Sequence, residues 1–320
     1  RTTHSTSSAA SDVYKRQARK AVEWLDKKSF GDKPFFITVG IHKPHVPFIA
    51  PQKYFDLYPQ QKLQFDLSLA NDWDDIPRLA MVKRFGGFGF ELGRENDALR
   101  REYTQAYHAC VSFVDAQIGL ILDKLKSQKL WNDTIVIFTS DHGYHLGEHF
   151  MWGKVTLFEE CARVPLIVRV PDVSPSGKTS QGLVETIDLF PTLAELCGLT
   201  APAQLQGKSY LSLIRKPDGP GKPSAYTVVS RGTQLGRSIR TQHWRYAEWG
   251  EAKAAELYDL QRDTREYTNL AKSPQHRNIV GQMKSRLAKR LAKTESARSG
   301  TDKSSMDSST SEILPLPGQG

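Results

Sequence analysis

Hydrophobic and polar positions along the chain predict alternating strands and helices. Apolar runs rich in aromatic and β-branched residues occupy 34–40, 134–139 and 164–170, as in strands buried on both faces. From Leu99 to Lys126 apolar residues recur at steps of three and four, which predicts a long amphipathic helix. This alternation indicates an α/β fold with a mostly parallel sheet and flanking helices.

The last third of the chain has a different pattern. Short alternating runs at 226–230, 238–241, 244–249 and 256–260 are separated by turn residues and predict a small antiparallel sheet. One helix follows over 275–292. We therefore expect an α/β domain over 18–200 and a C-terminal α+β subdomain over 201–293. The Ser/Thr/Gly/Lys-rich residues 294–320 are predicted to be a disordered tail.

The first residues look foreign to the protein. Residues 7–17, SSAASDVYKRQ, match the translation of a common sequencing adapter codon by codon. The preceding residues include neither an initiator Met nor the apolar run of a secretory signal. We expect residues 1–17 to be a non-native, disordered head and the chain to be a fragment truncated at its N-terminus.

Composition and charge narrow the classes of function. The 320 residues are 39% hydrophobic with a mean hydropathy of −0.48, and no window approaches the roughly 18 apolar residues of a membrane span. The net charge of +9 suggests a polyanionic partner, but +4 of it lies in 1–20 and +3 in 284–320. We interpret these ends as solvated tails. Without a known binding motif, the charge does not predict a nucleic-acid-binding protein.

Two candidate metal ligands follow a predicted strand. The run at 134–139 leads into Ser140, Asp141, His142 and Gly143. The carboxyl ends of parallel strands are where open α/β sheets bind ligands. The carboxylate of Asp141 and the imidazole of His142 would form half of a divalent-cation site.

Further candidate residues are cationic. His42, Lys43 and His45 follow the run at 34–40, and Lys154 lies shortly after the Asp-His pair. Together they would neutralise an anionic ester, and a histidine could protonate its leaving oxygen. Asp74-Asp75 follows no apolar strand, so we read it as a solvated loop rather than as further metal ligands.

Five segments together resemble the type I sulfatases of the alkaline-phosphatase-like superfamily. They are residues 34–48, the Ser-Asp-His-Gly-Tyr-His-Leu-Gly-Glu-His segment with the following Trp-Gly-Lys, residues 188–199, Leu-Gln-Gly-Lys-Ser and Glu-Leu-Tyr-Asp-Leu. The resemblance is greatest to the iduronate-2-sulfatase-like group and covers about residues 20–293. It implies an alkaline-phosphatase-like α/β fold and a periplasmic or secreted location.

The resemblance also implies an activity and residue roles. Such enzymes remove sulfate from sulfated sugars, including glycosaminoglycans, through a formylglycine made from Cys or Ser, aided by one calcium ion. By resemblance, Asp141 and His142 are metal ligands and Lys154 bridges the sulfate and the nucleophile. His42 contacts sulfate near the leaving oxygen, and Lys43 and His45 contact substrate. His145, Glu148 and His149 also follow the family pattern, and we assign them structural roles.

The nucleophile of this pattern is missing. The family carries it in Cys/Ser-x-Pro-x-Arg, which none of Cys110, Cys161 and Cys197 fits, and no serine fits either. The first pair of metal-binding aspartates is also missing. We therefore expect these 320 residues alone to lack turnover. A phosphate or phosphonate ester hydrolase of the same superfamily and a non-catalytic protein that binds sulfated polysaccharide stay open as alternatives.

Overall fold

The computed structural model describes residues 8–27, 30–64, 68–82, 96–175, 177–251 and 254–301, except for the side chains of 8–14 and 295–301. The helices are α1 (Ser8–Lys27), α2 (Gln52–Phe55), α3 (Asp97–Ser127), α4 (Glu159–Ala162), α5 (Leu189–Leu196), α6 (Leu211–Arg215) and α7 (Arg277–Thr301). The strands are β1 (Val136–Thr139), β2 (His145–Leu146), β3 (Trp152–Gly153), β4 (Leu166–Arg169), β5 (Ala225–Arg231), β6 (Gln234–Arg240), β7 (Trp244–Trp249) and β8 (Ala254–Asp259).

Helix α3 is the long amphipathic helix that the sequence predicts. It begins where the Asn96 side chain accepts a hydrogen bond from the Leu99 amide at 3.0 Å, which satisfies one of the free donors of the first turn. Its apolar stripe, with Tyr103 and Phe113 at its ends, packs against Phe48 in the main core. Residues 46–55 are thereby fixed beside the helix.

Helix α1 includes part of the segment that we expected to be disordered. Residues 8–17 are helical and continue into the part of α1 that packs on α3, where Ala18, Ala21 and Leu25 are buried. Once this anchored part has formed, each further residue adds a hydrogen bond at little cost, so the helix extends toward the N-terminus. Residues 1–7 lie outside the described residues.

The strands of the α/β part differ from the prediction in pairing and burial. β1 and β4 pair antiparallel, with Val136 opposite Arg169, and no ladder in the described ranges includes 34–40. Phe36 is 78% exposed and Ile167 64% exposed. An apolar run specifies a strand but not its neighbours. Among the described residues, β1 and β4 have only each other as partner strands. The expectation of parallel strands buried on both faces is therefore wrong for these segments.

The C-terminal subdomain has the predicted architecture. Strands β5 to β8 form an antiparallel meander in sequence order, and α7 packs across it with Met283 and Leu287 against Ile239. Helix α7 continues to Thr301, so residues 294–301 are not the disordered tail that we expected, and 302–320 lie outside the described residues. No helix in the described part of the chain combines the length and hydrophobicity that a membrane crossing requires.

Candidate active site

The turn after β1 places Asp141 and His142 at the end of that strand. The Ser140 hydroxyl donates to the carbonyl of His142 at 2.8 Å, and the Gly143 amide donates to the carbonyl of Cys161 at 2.9 Å. A Cβ at Gly143 would lie 1.9 Å from the carbonyl oxygen of Glu160. Glycine is therefore required for this close approach of two backbone segments.

The structure brings Asp141, His142 and Lys154 together. His142 Nδ1 lies 2.8 Å from the carbonyl oxygen of Gly143, so Nδ1 carries the proton and Nε2 presents its lone pair. Lys154 Nζ donates to that lone pair at 3.1 Å, and Asp141 Oδ2 lies 3.5 Å from the same nitrogen. An ammonium, an imidazole lone pair and a carboxylate thus share one small region, open to solvent because Asp141 is 84% exposed.

His42 and His45 form a second group. Their rings stack with centroids 4.6 Å apart, and both residues are exposed. Burial and the charges of His45, Lys43 and Lys154 lower the pKa of His42. The influence of Lys154 on His42 is the electrostatic link between the two groups. We call His42, His45 and Asp141 the rim.

Lys43 does not take the predicted substrate-facing position. It is 3% exposed, and its ammonium donates to the carbonyl of His45 at 3.0 Å and to the carbonyl of Pro47. Burial lowers its pKa. The loop turns at Pro44 and Pro47 and aims its own carbonyls inward. The ammonium therefore organises the loop, and the prediction of a substrate contact for Lys43 is corrected.

Contacts on both sides fix the position of Lys154. His145 pairs with Gly153 in the β2–β3 hairpin, and its Nε2 lies 2.8 Å from the hydroxyl of Thr156. Val155 has a left-handed backbone with φ of 70°, an unfavourable conformation for a β-branched residue. Arg231, at the end of β5, donates to the carbonyl of Val155 and so connects the C-terminal sheet to this strained position.

Near these residues lie buried ionic groups whose partners the sequence did not predict. His149 is 0% exposed, and its Nδ1 lies 3.0 Å from Asp72 Oδ2. Burial disfavours its charge, but the hydrogen bond and the charge of Asp72 outweigh that effect and raise the pKa of His149. Burial and the charge of Glu266 raise the pKa of Glu160 to about 7. Burial of His145 and His149 agrees with the structural roles expected for them.

The C-terminal sheet supplies the deepest ion pair. Arg245 Nε donates to Glu266, whose other oxygen accepts the backbone amide of Glu159 at 2.8 Å. Arg245 also lies between the rings of Phe158 and Tyr258 at 4.8 and 4.7 Å. We call residues 143–160 except Lys154, together with Asp72, Arg245 and Glu266, the floor of the site.

Asp75 lies in an exposed loop, as expected from the sequence, but this loop is bound to the C-terminal subdomain. Its carboxylate accepts the backbone amide of Asn269 at 2.9 Å, and its carbonyl accepts the Asn269 side chain at 2.9 Å. Partial burial of the carboxyl raises its pKa. The exposed Asp74-Asp75 segment therefore also joins the α/β part to the C-terminal subdomain.

The donor atoms of Asp141 and His142 fit part of a divalent-cation site. The tautomer of His142 leaves Nε2 as an acceptor, and a carboxylate oxygen lies 3.5 Å away. Calcium takes about six to eight ligands, mostly oxygens, so these two side chains supply a minority of them. Among the described residues, no group of three or more His, Cys, Asp or Glu side chains is arranged to hold an ion.

Comparison with known families decides what kind of protein carries this geometry. A family model described as Sulfatase matches residues 12–199, more than half of the 320 residues. The chain belongs to the sulfatase family. A second model, described as N-sulphoglucosamine sulphohydrolase, C-terminal, matches residues 147–293. The recognition made from the sequence motifs is therefore confirmed.

Individual relatives are similar to most of this chain. A protein named Sulfatase from Formosa agariphila is 33% identical over 275 residues, covering 84% of this chain and 53% of the relative. Human iduronate 2-sulfatase is 31% identical over 305 residues, covering 73% of this chain and 55% of the relative. The chain thus spans about half the length of the curated relatives that it matches.

A solved structure confirms the fold class. The phosphonate monoester hydrolase SpPMH from Silicibacter pomeroyi superposes with a TM-score of 0.76 at 22% identity, covering 87% of this chain and 60% of that chain. At this identity the likeness shows the fold alone. The predicted alkaline-phosphatase-like α/β class with a C-terminal antiparallel sheet is confirmed.

Proposed function

We propose that this chain supplies the cationic side of an active site that hydrolyses a sulfate ester on a sulfated sugar. One observation carries the proposal: Lys154 Nζ lies 3.1 Å from His142 Nε2, beside Asp141 and within the electrostatic reach of His42. Membership of the sulfatase family supports sulfate as the anion. The name of the human relative, iduronate 2-sulfatase, supports a sulfated sugar such as that of a glycosaminoglycan.

Each residue has a part in this proposal. The Lys154 ammonium binds a sulfate oxygen as a point charge and offsets the negative charge that builds up in the transition state. His42, whose pKa is lowered, is a stronger acid when protonated and donates its proton to the sugar oxygen as the sulfur–oxygen bond breaks. His45, exposed and stacked on His42, would contact the sugar ring.

A calcium ion is part of the same proposal. Asp141 and His142 would hold it, and its charge would help to neutralise the sulfate group. The Gly143 carbonyl keeps His142 in the tautomer that binds a cation through Nε2.

The nucleophile must come from outside these 320 residues. No Cys/Ser-x-Pro-x-Arg sequence occurs among them, and the formylglycine expected from the resemblance needs one. We therefore propose that the chain binds the sulfate group but does not turn it over without a segment that carries this sequence. A secreted or periplasmic location belongs to the same proposal.

Sulfate binding by the 320-residue chain tests the proposal. Sulfate and a 2-O-sulfated uronic-acid disaccharide are titrated in separate samples while the imidazole resonances of His42 and His142 are followed by NMR. Both resonances should shift and saturate, and Lys154→Ala should weaken binding at least tenfold. Lys53→Ala, which removes an exposed lysine that is not one of the site residues, should leave affinity within twofold. Absence of a response, or equal weakening by both variants, would contradict the proposal.

One alternative stays open from the sequence, a phosphate or phosphonate ester as the substrate. A cationic site accepts either anion, so relative affinity decides. Tighter binding of phenyl phosphonate than of phenyl sulfate would favour this alternative. A non-catalytic polysaccharide-binding role would be favoured if the chain, joined to its nucleophile segment, released no sulfate from any sulfated sugar.

A further inference from the structure

Helix α7 presents two rows of basic side chains to solvent. Arg277 and Lys284, two turns apart, form one row, and Arg286, Lys289 and Lys293 recur at steps of three and four in the other. All five are exposed. The sequence contains no Asp or Glu from 277 to 294, so the charge on this face has a single sign.

This charge lies on an anchored element rather than on a tail. Met283 and Leu287 are 3% and 1% exposed where α7 packs on the C-terminal sheet. Arg290, at the edge of the buried side, donates to Glu185 Oε1 at 3.2 Å and ties the helix to the α/β part. Six of the seven basic residues in 284–320 belong to this helix, and the four acidic residues all follow at or after 295.

Small residues separate the two rows. Gly281, Ser285, Ala288 and Ala292 are exposed and recur at steps of three and four between them. A Cβ added at Gly281 would meet nothing within 4 Å. A linear molecule could lie along the helix axis over this strip and be reached by lysine and arginine side chains from both sides.

We propose that the exposed face of α7 binds a stretch of sulfated polysaccharide. The choice of partner rests on the proposed function, because a sulfate-ester site in the same chain requires substrates that carry such groups. Two rows of exposed lysine and arginine side chains suit an anion repeated along a linear chain, and several weak contacts on one chain add up to avidity.

Two other polyanions fit this face less well. No aromatic residue occurs from 277 to 294, so the face offers no platform for stacking nucleic-acid bases. The apolar side of α7 is buried on the sheet and is not available to enter a lipid surface. A surface of small and basic side chains matches a hydrophilic, highly charged ligand.

Binding to heparin measures the contribution of this face. The probe is an immobilised heparin fragment in about 0.15 M salt, where charges beyond about 8 Å are screened. The variant Arg286→Glu/Lys289→Glu/Lys293→Glu should weaken binding at least tenfold. A control, Lys178→Glu/Lys208→Glu/Lys216→Glu, changes the net charge equally at exposed positions elsewhere and should weaken it less than twofold. If the helix variant does not fold, as judged by circular dichroism, the corresponding glutamine variant replaces it.

Several outcomes would overturn this inference. Equal losses in the two triple variants would assign binding to net charge, and equal affinity for desulfated heparin would remove the role of sulfate. Equally tight binding of duplex DNA would make the face a general polyanion site. Loss of binding in Lys154→Ala but not in the helix variant would place heparin in the active site, which overturns this inference and leaves the proposed function standing.

Discussion

The rim and the floor of the site use the same residue types in opposite environments. His42 and His45 on the rim are exposed and stack on each other at 4.6 Å. His145 and His149 in the floor are completely buried. The ring of His145 is hydrogen-bonded to Thr156, and the ring of His149 is hydrogen-bonded to Asp72. A group meant to meet a ligand must stay accessible, whereas a group that fixes the backbone is most effective when buried.

Burial also decides which histidines of the floor can carry a charge. Burial lowers the pKa of His145 to about 3, so this ring is a neutral hydrogen-bonding group, while Asp72 raises the pKa of His149. The floor thus contains a neutral and a chargeable histidine with centroids 6.1 Å apart. Changes in the floor should therefore alter stability, and changes on the rim should alter binding.

The largest effect is expected from the deepest ion pair. Glu266→Ala leaves Arg245 buried without its main partner and removes the acceptor of the Glu159 amide, which should cost about 3 to 5 kcal/mol in the free energy of unfolding. Urea unfolding followed by circular dichroism measures it. Arg262→Ala breaks a pair whose arginine is 88% exposed and should cost under about 0.5 kcal/mol. Similar losses in the two variants would remove the distinction between buried and exposed charge.

The next effect depends on pH. The pKa of Glu160 is about 7 in the folded chain against an ordinary 4.5, so between these values the folded state holds more protons than the unfolded state. Stability should therefore fall as the pH rises from about 4.5 to 7, by on the order of 2 to 3 kcal/mol. Urea midpoints at several pH values measure this slope, and Glu160→Gln should flatten it.

The exposed Glu195 provides the control for this pH effect. Glu195→Gln should leave the slope as it is in the unchanged chain. His149, whose pKa is raised above 6.5, contributes stability that is lost as the pH rises from about 6.5 through its folded value, so a slope above about pH 6.5 should persist in Glu160→Gln. An unchanged slope in Glu160→Gln would show that this carboxyl titrates normally.

A smaller effect is expected where the rim joins the floor. Gly143→Ala would place a Cβ 1.9 Å from the Glu160 carbonyl oxygen, so two backbone segments must separate, at a cost of about 1 to 3 kcal/mol. Gly119→Ala in α3, where nothing lies within 4 Å, should instead gain up to about 1 kcal/mol. Thermal unfolding compares the two. If Gly143→Ala left the temperature of thermal unfolding unchanged, the turn would not need its close contact with Glu160.

Sequence reasoning predicts the rim better than the floor. Asp141 and His142 follow an apolar strand, and a strand end followed by polar residues is a local signal. The Asp72–His149 pair joins positions 77 residues apart, and the Asp75–Asn269 contact joins positions 194 apart. A single sequence contains no signal for such pairings, because each residue is also compatible with an exposed loop.

Local patterns also have limits for the fold. Helix α3 and the meander β5 to β8 follow from periodicity and turns, because their neighbours along the chain are also their neighbours in space. The pairing of β1 with β4 depends on the path of the chain between them, which periodicity does not record. Lys43 shows the same limit within one loop, because its position in sequence suggests the pocket while the loop carbonyls turn its ammonium inward.

The smallest effect on stability is expected on the rim itself, where His45 provides the clearest comparison with His145. His45 is exposed and bonds through Nδ1 to its neighbouring carbonyl at 2.8 Å, so His45→Ala should change the free energy of unfolding by under about 0.5 kcal/mol. His145→Ala empties a buried position and breaks the bond to Thr156, so it should cost several times more. The charge of His45 helps to lower the pKa of His42, so His45→Ala should raise that pKa, as measured by NMR titration. If His45→Ala destabilised the chain as much as His145→Ala and left the pKa of His42 in place, the rim would be structural and the floor would not be distinct from it.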